Sequence, residues 1–479
     1  MSRHPAGFIL AITLISLVAT GCSLAPRYTR PNLPVDEQWG AHASDQPTNR
    51  SEVTWSDDVQ WQDFVLEPQL RELVQVALEN NRDLRQSVLA IDAARAQLRL
   101  ARGAQLPNVE AGGSHTRERI PAAVSPSGQS LIQESAQSGV TLGAFELDLF
   151  GRLRSLANAA GFEYHATAED ARAVRLALIS QVCNAYVEWQ GAQERVALVQ
   201  STLEGREKSL GLTEMSHQLG AVGDLDVQEA RAALADVQAQ KEQALRARAR
   251  AKHALTLLLG HGDTPLVEHA GQTPTLDQRE LFAAISPGLP SDLITRRPEV
   301  LSAEQRLRAR NADVGAARAA FLPNITLTGT GGSVSAEVDD LFSAGTRSWS
   351  FVPRITIPLF AGGRLKAGLD LSEVRRDSAV AAYEGAIQTG FREVSDALVD
   401  ASTYEQEASA QQRSVVANSR AAELSRARYR AGADSHLRYL DAERQRLSAQ
   451  LALLEAHIQR HNSRPALFKA MGGGWVGER

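Results

Sequence analysis

The residues through which this chain could do chemistry are few and scattered. Its 11 histidines follow no metal-ligand spacing. The sequence holds no His-Glu-x-x-His, no phosphate-binding glycine loop ending in Lys-Ser or Lys-Thr, and no nucleophile elbow. Gly329-Thr330-Gly331-Gly332 lies inside a strand pattern rather than ahead of a helix, so it is no nucleotide loop. The acidic residues fall on helix faces, where a solvated surface accounts for them. Arg296-Arg297-Pro298 looks cationic but reads better as the charged start of a helix. Of two cysteines, Cys183 sits in a helical pattern as a packed neutral thiol, and a disulfide framework is excluded. Nothing here points to catalysis, and no cofactor is called for.

Cys22 is the exception. Arg3 and His4 precede an apolar run, Phe8 to Val18, that is too short for a stable membrane anchor and reads as a secretory signal over residues 1–21. It ends in Val18-Ala19-Thr20-Gly21-Cys22, which resembles a bacterial lipobox, although Ala19 stands where Leu is commonest. The expected product is Cys22 carrying an N-acyl chain and an S-diacylglycerol. Each buried CH₂ of such chains contributes about 0.8 kcal/mol of membrane affinity. Ser23 follows, and the absence of Asp there resembles lipoproteins sorted to the outer membrane.

Composition excludes two classes. With 51 basic and 56 acidic residues the net charge is −5, so no global field recruits nucleic acid. Mean hydropathy is −0.24, and past the signal no apolar run approaches the ~20 residues of a membrane helix. A β-barrel escapes that exclusion, because its strands alternate.

The chain repeats itself. Leu106-Pro107-Asn108 recurs as Leu322-Pro323-Asn324, and Leu149-Phe150-Gly151-Arg152-Leu153 as Leu359-Phe360 with Gly363-Arg364-Leu365. Gly220 recurs as Gly432, and Ala254-Leu255 as Ala466-Leu467, all at a spacing of about 210 residues. Behind a lipidated extended segment (22–66), the first copy spans 67–260, with strands at 108–120 and 139–150 and a helical hairpin at 151–260. A linker at 261–289 leads to the second copy, 290–472, with strands at 324–335 and 346–360 and a hairpin at 363–471; 473–479 is a tail. In each copy the outgoing helix has about 70 residues, on the order of 100 Å, and two shorter helices cover the return. The first of these opens at Glu67-Pro68 and reads as one helix to Leu106.

In the second copy Trp349, Phe351, Ile355 and Ile357 alternate with Ser348, Ser350, Arg354 and Thr356, as a barrel wall requires. Pro353 and Pro358 weaken that strand or mark a bend. Two strands per copy are four per chain, too few for a membrane barrel, and open edges cannot face lipid. Three chains supply twelve strands, and a cyclic homotrimer is the simplest closure.

The chain resembles the outer membrane factors of bacterial tripartite efflux systems, the TolC/OprM-like proteins, in their lipoprotein branch. The resemblance rests on Cys22 to Pro31, on Phe145-Glu146-Leu147-Asp148-Leu149-Phe150-Gly151-Arg152, and on Leu289 to Val300 continuing to Pro323. It implies an α+β fold of two tandem repeats: a trimeric twelve-stranded outer-membrane β-barrel, a long periplasmic α-helical barrel and a mixed equatorial region. It also implies a periplasmic adaptor and an inner-membrane pump of the resistance-nodulation-division class as partners, and outer-membrane lipids as surroundings. By the same resemblance the helix tips pinch the pore. Leu437 and Asp441 are carried over as its constriction, an apolar and an acidic ring. Tyr429, Asp434 and His436, with Asp224 and Arg231 from the first copy, are carried over as closed-state contacts, and protonation of His436 would make closure pH-sensitive. Gly220, Gly223 and Gly432 form the turns where the adaptor docks.

Two other classes stay open at this point. A periplasmic lipid-anchored adaptor predicts one hairpin flanked by compact β domains; a soluble coiled-coil scaffold predicts no trimer and no pore. Within the channel class, drugs, solvents, dyes, metal ions or a secreted polypeptide would all suit the architecture.

Overall fold

A computed structural model describes residues 24–32, 34–35, 53–54, 60–260, 275–286 and 296–473. Cys22 and the signal lie outside the described residues. In chain order the elements are β1 (Val53–Thr54), α1 (Trp61–Phe64), α2 (Pro68–Asn80), α3 (Arg82–Gly103), β2 (Val109–Ile120), β3 (Leu131–Leu147), α4 (Arg152–Gln218) and α5 (Asp224–Leu259). A 3₁₀ turn (Leu276–Gln278) and β4 (Ile285–Ser286) precede α6 (Pro298–Ala319), β5 (Asn324–Ser335), β6 (Arg347–Thr356), α7 (Arg364–Arg430) and α8 (His436–Ala470). Among the described residues no helix is long and apolar enough to cross a membrane. Contacts divide the chain into two compact units, 1–32 with 90–167 and 303–383, and 33–89 with 168–302 and 384–479.

The first unit holds an antiparallel sheet of order β2-β3-β5-β6, so that the seam between the repeats is the β3–β5 pairing. Its register puts Val109 beside Leu142, Ala111 and Gly331 beside Val140, Leu327 beside Phe145 and Ile355 beside Ile325. Paired residues share a face, so over the half of the sheet that includes Val109 and Leu142 one face is apolar across all four strands, while farther along β2 and β3 the same face carries His115 and the Arg117–Glu134 ion pair. Trp349 and Ile355 on it are 80% and 64% exposed. The other face carries Glu110, Thr141, Thr330 and Ser350. Pro353 sits in β6, at the edge of the sheet, the one place where a missing ladder donor is tolerated. In the same unit the buried Glu304 carboxylate anchors the stretch that follows Cys22. It accepts from the Tyr28 hydroxyl at 3.0 Å and from Arg30 at 2.9 Å, and Arg308 adds a third donor at 2.8 Å. Burial pushes this carboxyl up, but those donors outweigh it and hold it below the ordinary range.

The second unit carries the aromatic core. Phe64 stacks between Phe282 (5.2 Å) and Phe468 (4.4 Å), with Leu70, Tyr186 and Leu255 fully buried around them. Cys183 belongs to this core, and burial pushes its thiol far up, so it is inert packing. Arg297 is 3% exposed, donating to Glu393 at 2.5 Å and to the Gly390 carbonyl at 3.3 Å. The cationic start of α6 is therefore a buried anchor. Removing the closer carboxylate leaves this buried charge only the 3.5 Å ion pair with Glu299, so Glu393→Ala should cost about 2 kcal/mol and lower the melting temperature. Calorimetry of the detergent-extracted protein would show it.

Three boundaries differ from expectation. The helix expected from Glu67 to Leu106 breaks at Asn81, whose side-chain oxygen caps α3 through the Asp83 and Leu84 N–H groups at 3.0 Å. The second strand begins at Leu131 rather than 139, because the polar stretch from Gln133 to Ser138 finds partners in β2. The fourth ends at Thr356 rather than 360, ahead of Pro358.

Candidate functional site

The site worth building is the pair of hairpin tips, both within the second unit. At the first, α4 ends at Gln218 and Gly220 takes φ +72°, letting Gly220 N–H donate to His217 O and Ala221 N–H to Ser216 O, both at 2.9 Å. At the second, Gly432 takes φ +70°, and Gly432 and Ala433 donate to Tyr429 O and Arg428 O, again at 2.9 Å. The two turns are the same motif 212 residues apart. A side chain at either glycine would strain the left-handed backbone. The following helices are capped differently. Asp226 Oδ2 accepts from Gly223 N–H at 3.1 Å ahead of α5, whereas Ser435 Oγ accepts from Arg438 N–H at 3.3 Å ahead of α8.

Asp434, Arg231, Asp224 and Asp441 find partners within their own hairpins, whereas Tyr429 and His436 also meet the first hairpin, Tyr429 through Thr213 on α4. Asp434 meets Arg428 at 3.3 Å and Arg438 at 3.5 Å. Arg231 pairs with Glu214 at 2.8 Å, and Asp224 accepts from Gln228 at 3.3 Å. Tyr429 stacks flat on Tyr439, ring centroids 5.7 Å apart, with His436 at 5.0 Å. Asp441 accepts from Arg444 at 2.5 Å and from Gln445 at 2.8 Å, while its neighbour one turn earlier, Leu437, is 59% exposed. What joins one hairpin to the other was not anticipated. Arg206 on α4, buried, donates to the Leu440 carbonyl of α8 at 3.2 Å, and Asp226 and Glu229 on α5 approach His436. Nothing in a periodic helical sequence announces a pairing between residues over 200 positions apart.

Higher up α8, His461 is buried and its Nε2–H donates to the Leu276 carbonyl at 3.0 Å. Burial holds it down at about 4, and burial likewise lowers His457 and His436. Unfolded histidine titrates near ~6.5, so below that pH the unfolded chain binds protons that the folded one refuses. Stability is therefore full above pH ~6.5 and is lost as the pH falls from there toward 4, by about 3 kcal/mol from His461 alone. A melting temperature that declines on acidification through this window is the expected result; one flat from pH 7 to 4.5 would contradict it.

An uncovered sheet with one apolar and one polar face, joined to long helical hairpins, defines a membrane-inserted duct component rather than a soluble scaffold. The family model for outer membrane efflux proteins matches residues 73–261 and 289–473. The chain is 46% identical over 475 residues to outer membrane protein OprJ of Pseudomonas aeruginosa, covering 99% of this chain and 97% of that protein. Its fold matches a crystal structure of a membrane protein from Pseudomonas aeruginosa with a TM-score of 0.87 at 45% identity, over 95% of this chain and 98% of that one. It also matches the open state of the MtrE outer membrane channel of Neisseria gonorrhoeae, with a TM-score of 0.83 at 33% identity over 95% and 98% of the chains. The chain belongs to the outer membrane efflux protein family. It is an outer-membrane component of an efflux pump, and the adaptor and scaffold readings fall away.

Proposed function

We propose that three copies of this chain close their sheets into one twelve-stranded barrel and their hairpins into a tube beneath it. Small toxic molecules would then pass from an inner-membrane pump, through a periplasmic adaptor, to the exterior. The observation that carries this reading is the sheet: an exposed apolar face, an opposite polar face, and free edges at β2 and β6. An open edge in hydrocarbon leaves backbone groups unsatisfied at several kcal/mol each, so the edges must pair with other copies. The apolar face then meets lipid and the polar face water. Relatives named as antibiotic and toluene efflux pump proteins support a small-molecule cargo. Leu437 and Asp441 would form the constriction, Gly220, Gly223 and Gly432 the adaptor's docking turns, and acylated Cys22 the anchor. The reading assigns no catalytic step.

Cysteines placed along β2 and β6 test the closure. Within one chain these strands are separated by β3 and β5, about 14 Å, too far for a disulfide. Oxidation should therefore link chains into covalent trimers. A detergent-extracted monomer that forms no such links would refute the closure.

A further inference from the structure

Asp226 and Glu229 lie three residues apart on one face of α5, and His436 opens α8 in the other hairpin. One ligand atom from each lies within 4.8 Å of the other two. His436 is 2% exposed, and neither ring nitrogen makes a well-formed hydrogen bond: the imidazole has only a weak contact with the Asp226 main chain. A buried imidazole left so costs about 1–3 kcal/mol for each unsatisfied group and calls for an explanation. Tyr429 and Tyr439 wall the ring at 5.0 and 6.1 Å, and Asp226 and Glu229 are half-buried. Asp226 is oriented by the Gly223 N–H, the kind of outer hydrogen bond that fixes a metal-binding carboxylate. Glu229 has no ion pair among the described residues.

We propose that Asp226, Glu229 and His436 are the three protein ligands of a divalent cation of the zinc–cobalt–manganese class, which ties the first hairpin's return helix to the second's. The donor set selects the class. An imidazole with two carboxylates suits borderline zinc and cobalt and is accepted by manganese, whereas calcium and magnesium prefer all-oxygen sites. Three protein ligands leave a fourth position to water. The donors need only small side-chain rotations to reach about 2 Å from a common ion. The positive charge of Arg206 acts on His436, and one of its guanidinium nitrogens donates to the Leu440 carbonyl. Because His436 adjoins Leu437, an ion here latches the tips shut; that consequence rests on the duct reading above, whereas the binding does not.

The test uses the full chain, metal-stripped in detergent and titrated with Co²⁺ alone. One Co²⁺ per chain should bind with visible absorption bands, displaced by Zn²⁺. His436→Ala should abolish the bands, and the conservative Glu229→Gln should weaken binding at least tenfold, with helicity and oligomeric state unchanged. An Asp441→Asn chain lacks the acidic ring and should keep the bands; bands lost there place the ion on the ring and overturn the proposal. Absent bands in the natural chain, or bands retained by both His436→Ala and Glu229→Gln, overturn it too. Zn²⁺ should also reduce channel opening in planar bilayers for the natural chain and not for His436→Ala. Unchanged opening with binding intact refutes the latch, while a protein silent without metal would count against the duct reading alone.

Discussion

Leu437→Ala is expected to turn a closed duct into a leaking one. Leu437 is 59% exposed in the single chain, one turn before Asp441, so in the proposed trimer its apolar surface would have only its symmetry mates to bury it. Truncation to Ala removes about 1 kcal/mol of apolar burial per chain, and symmetry applies it three times. The open fraction should rise roughly a hundredfold. Cells carrying the variant should become sensitive to vancomycin, a molecule too large for the intact outer membrane. Unchanged sensitivity with normal amounts of trimer would move the constriction elsewhere. In the proposed constriction Asp441 would act on charge rather than on closure. It pairs with the exposed Arg444 at 2.5 Å, and Asp441→Ala should lessen the preference for cations more than it changes opening.

Gly332→Ala is the second large effect, because it strikes the seam between the two repeats. Gly332 pairs with Gly139 across β3 and β5. A Cβ added at Gly332 would lie 2.5 Å from the Gly139 Cα and collide with the Ser138 carbonyl oxygen. Both obstacles are backbone, so the strands must part, and ladder bonds are lost together with packing. Neighbouring Gly331 faces open space with nothing within 4 Å. Gly331→Ala should therefore assemble normally, while Gly332→Ala should yield little or no trimer in membrane extracts. Equal trimer yields for the two variants would contradict the role of this close approach.

The contrast between those glycines shows what a sequence can and cannot carry. Gly331 and Gly332 are adjacent and look alike in a Gly-rich strand; only the register of β3 against β5 separates them. The long helices were legible because an uninterrupted 3.6-residue pattern ends at glycines, and Gly220 and Gly432 do adopt the left-handed turn expected of them. Asn81 was passed over, since an asparagine inside a helical pattern is as common on a solvated face as at a cap. The charged Arg296-Arg297-Pro298 start was visible, but Arg297's burial against Glu393 comes from a helix about 100 residues away. His436 was singled out as a tip residue, whereas its approach to Asp226 and Glu229 was invisible, because two repeats that look independent in sequence lie side by side in the fold.

On this reading the chain builds a water-filled duct closed at its periplasmic tips. Single-channel recording of the purified, detergent-extracted protein in a planar bilayer tests it most directly. Discrete, small and infrequent openings that prefer cations, and that become large and frequent in Leu437→Ala, are the expected result. Trimers that insert yet never conduct, in the natural chain and in Leu437→Ala alike, would contradict it.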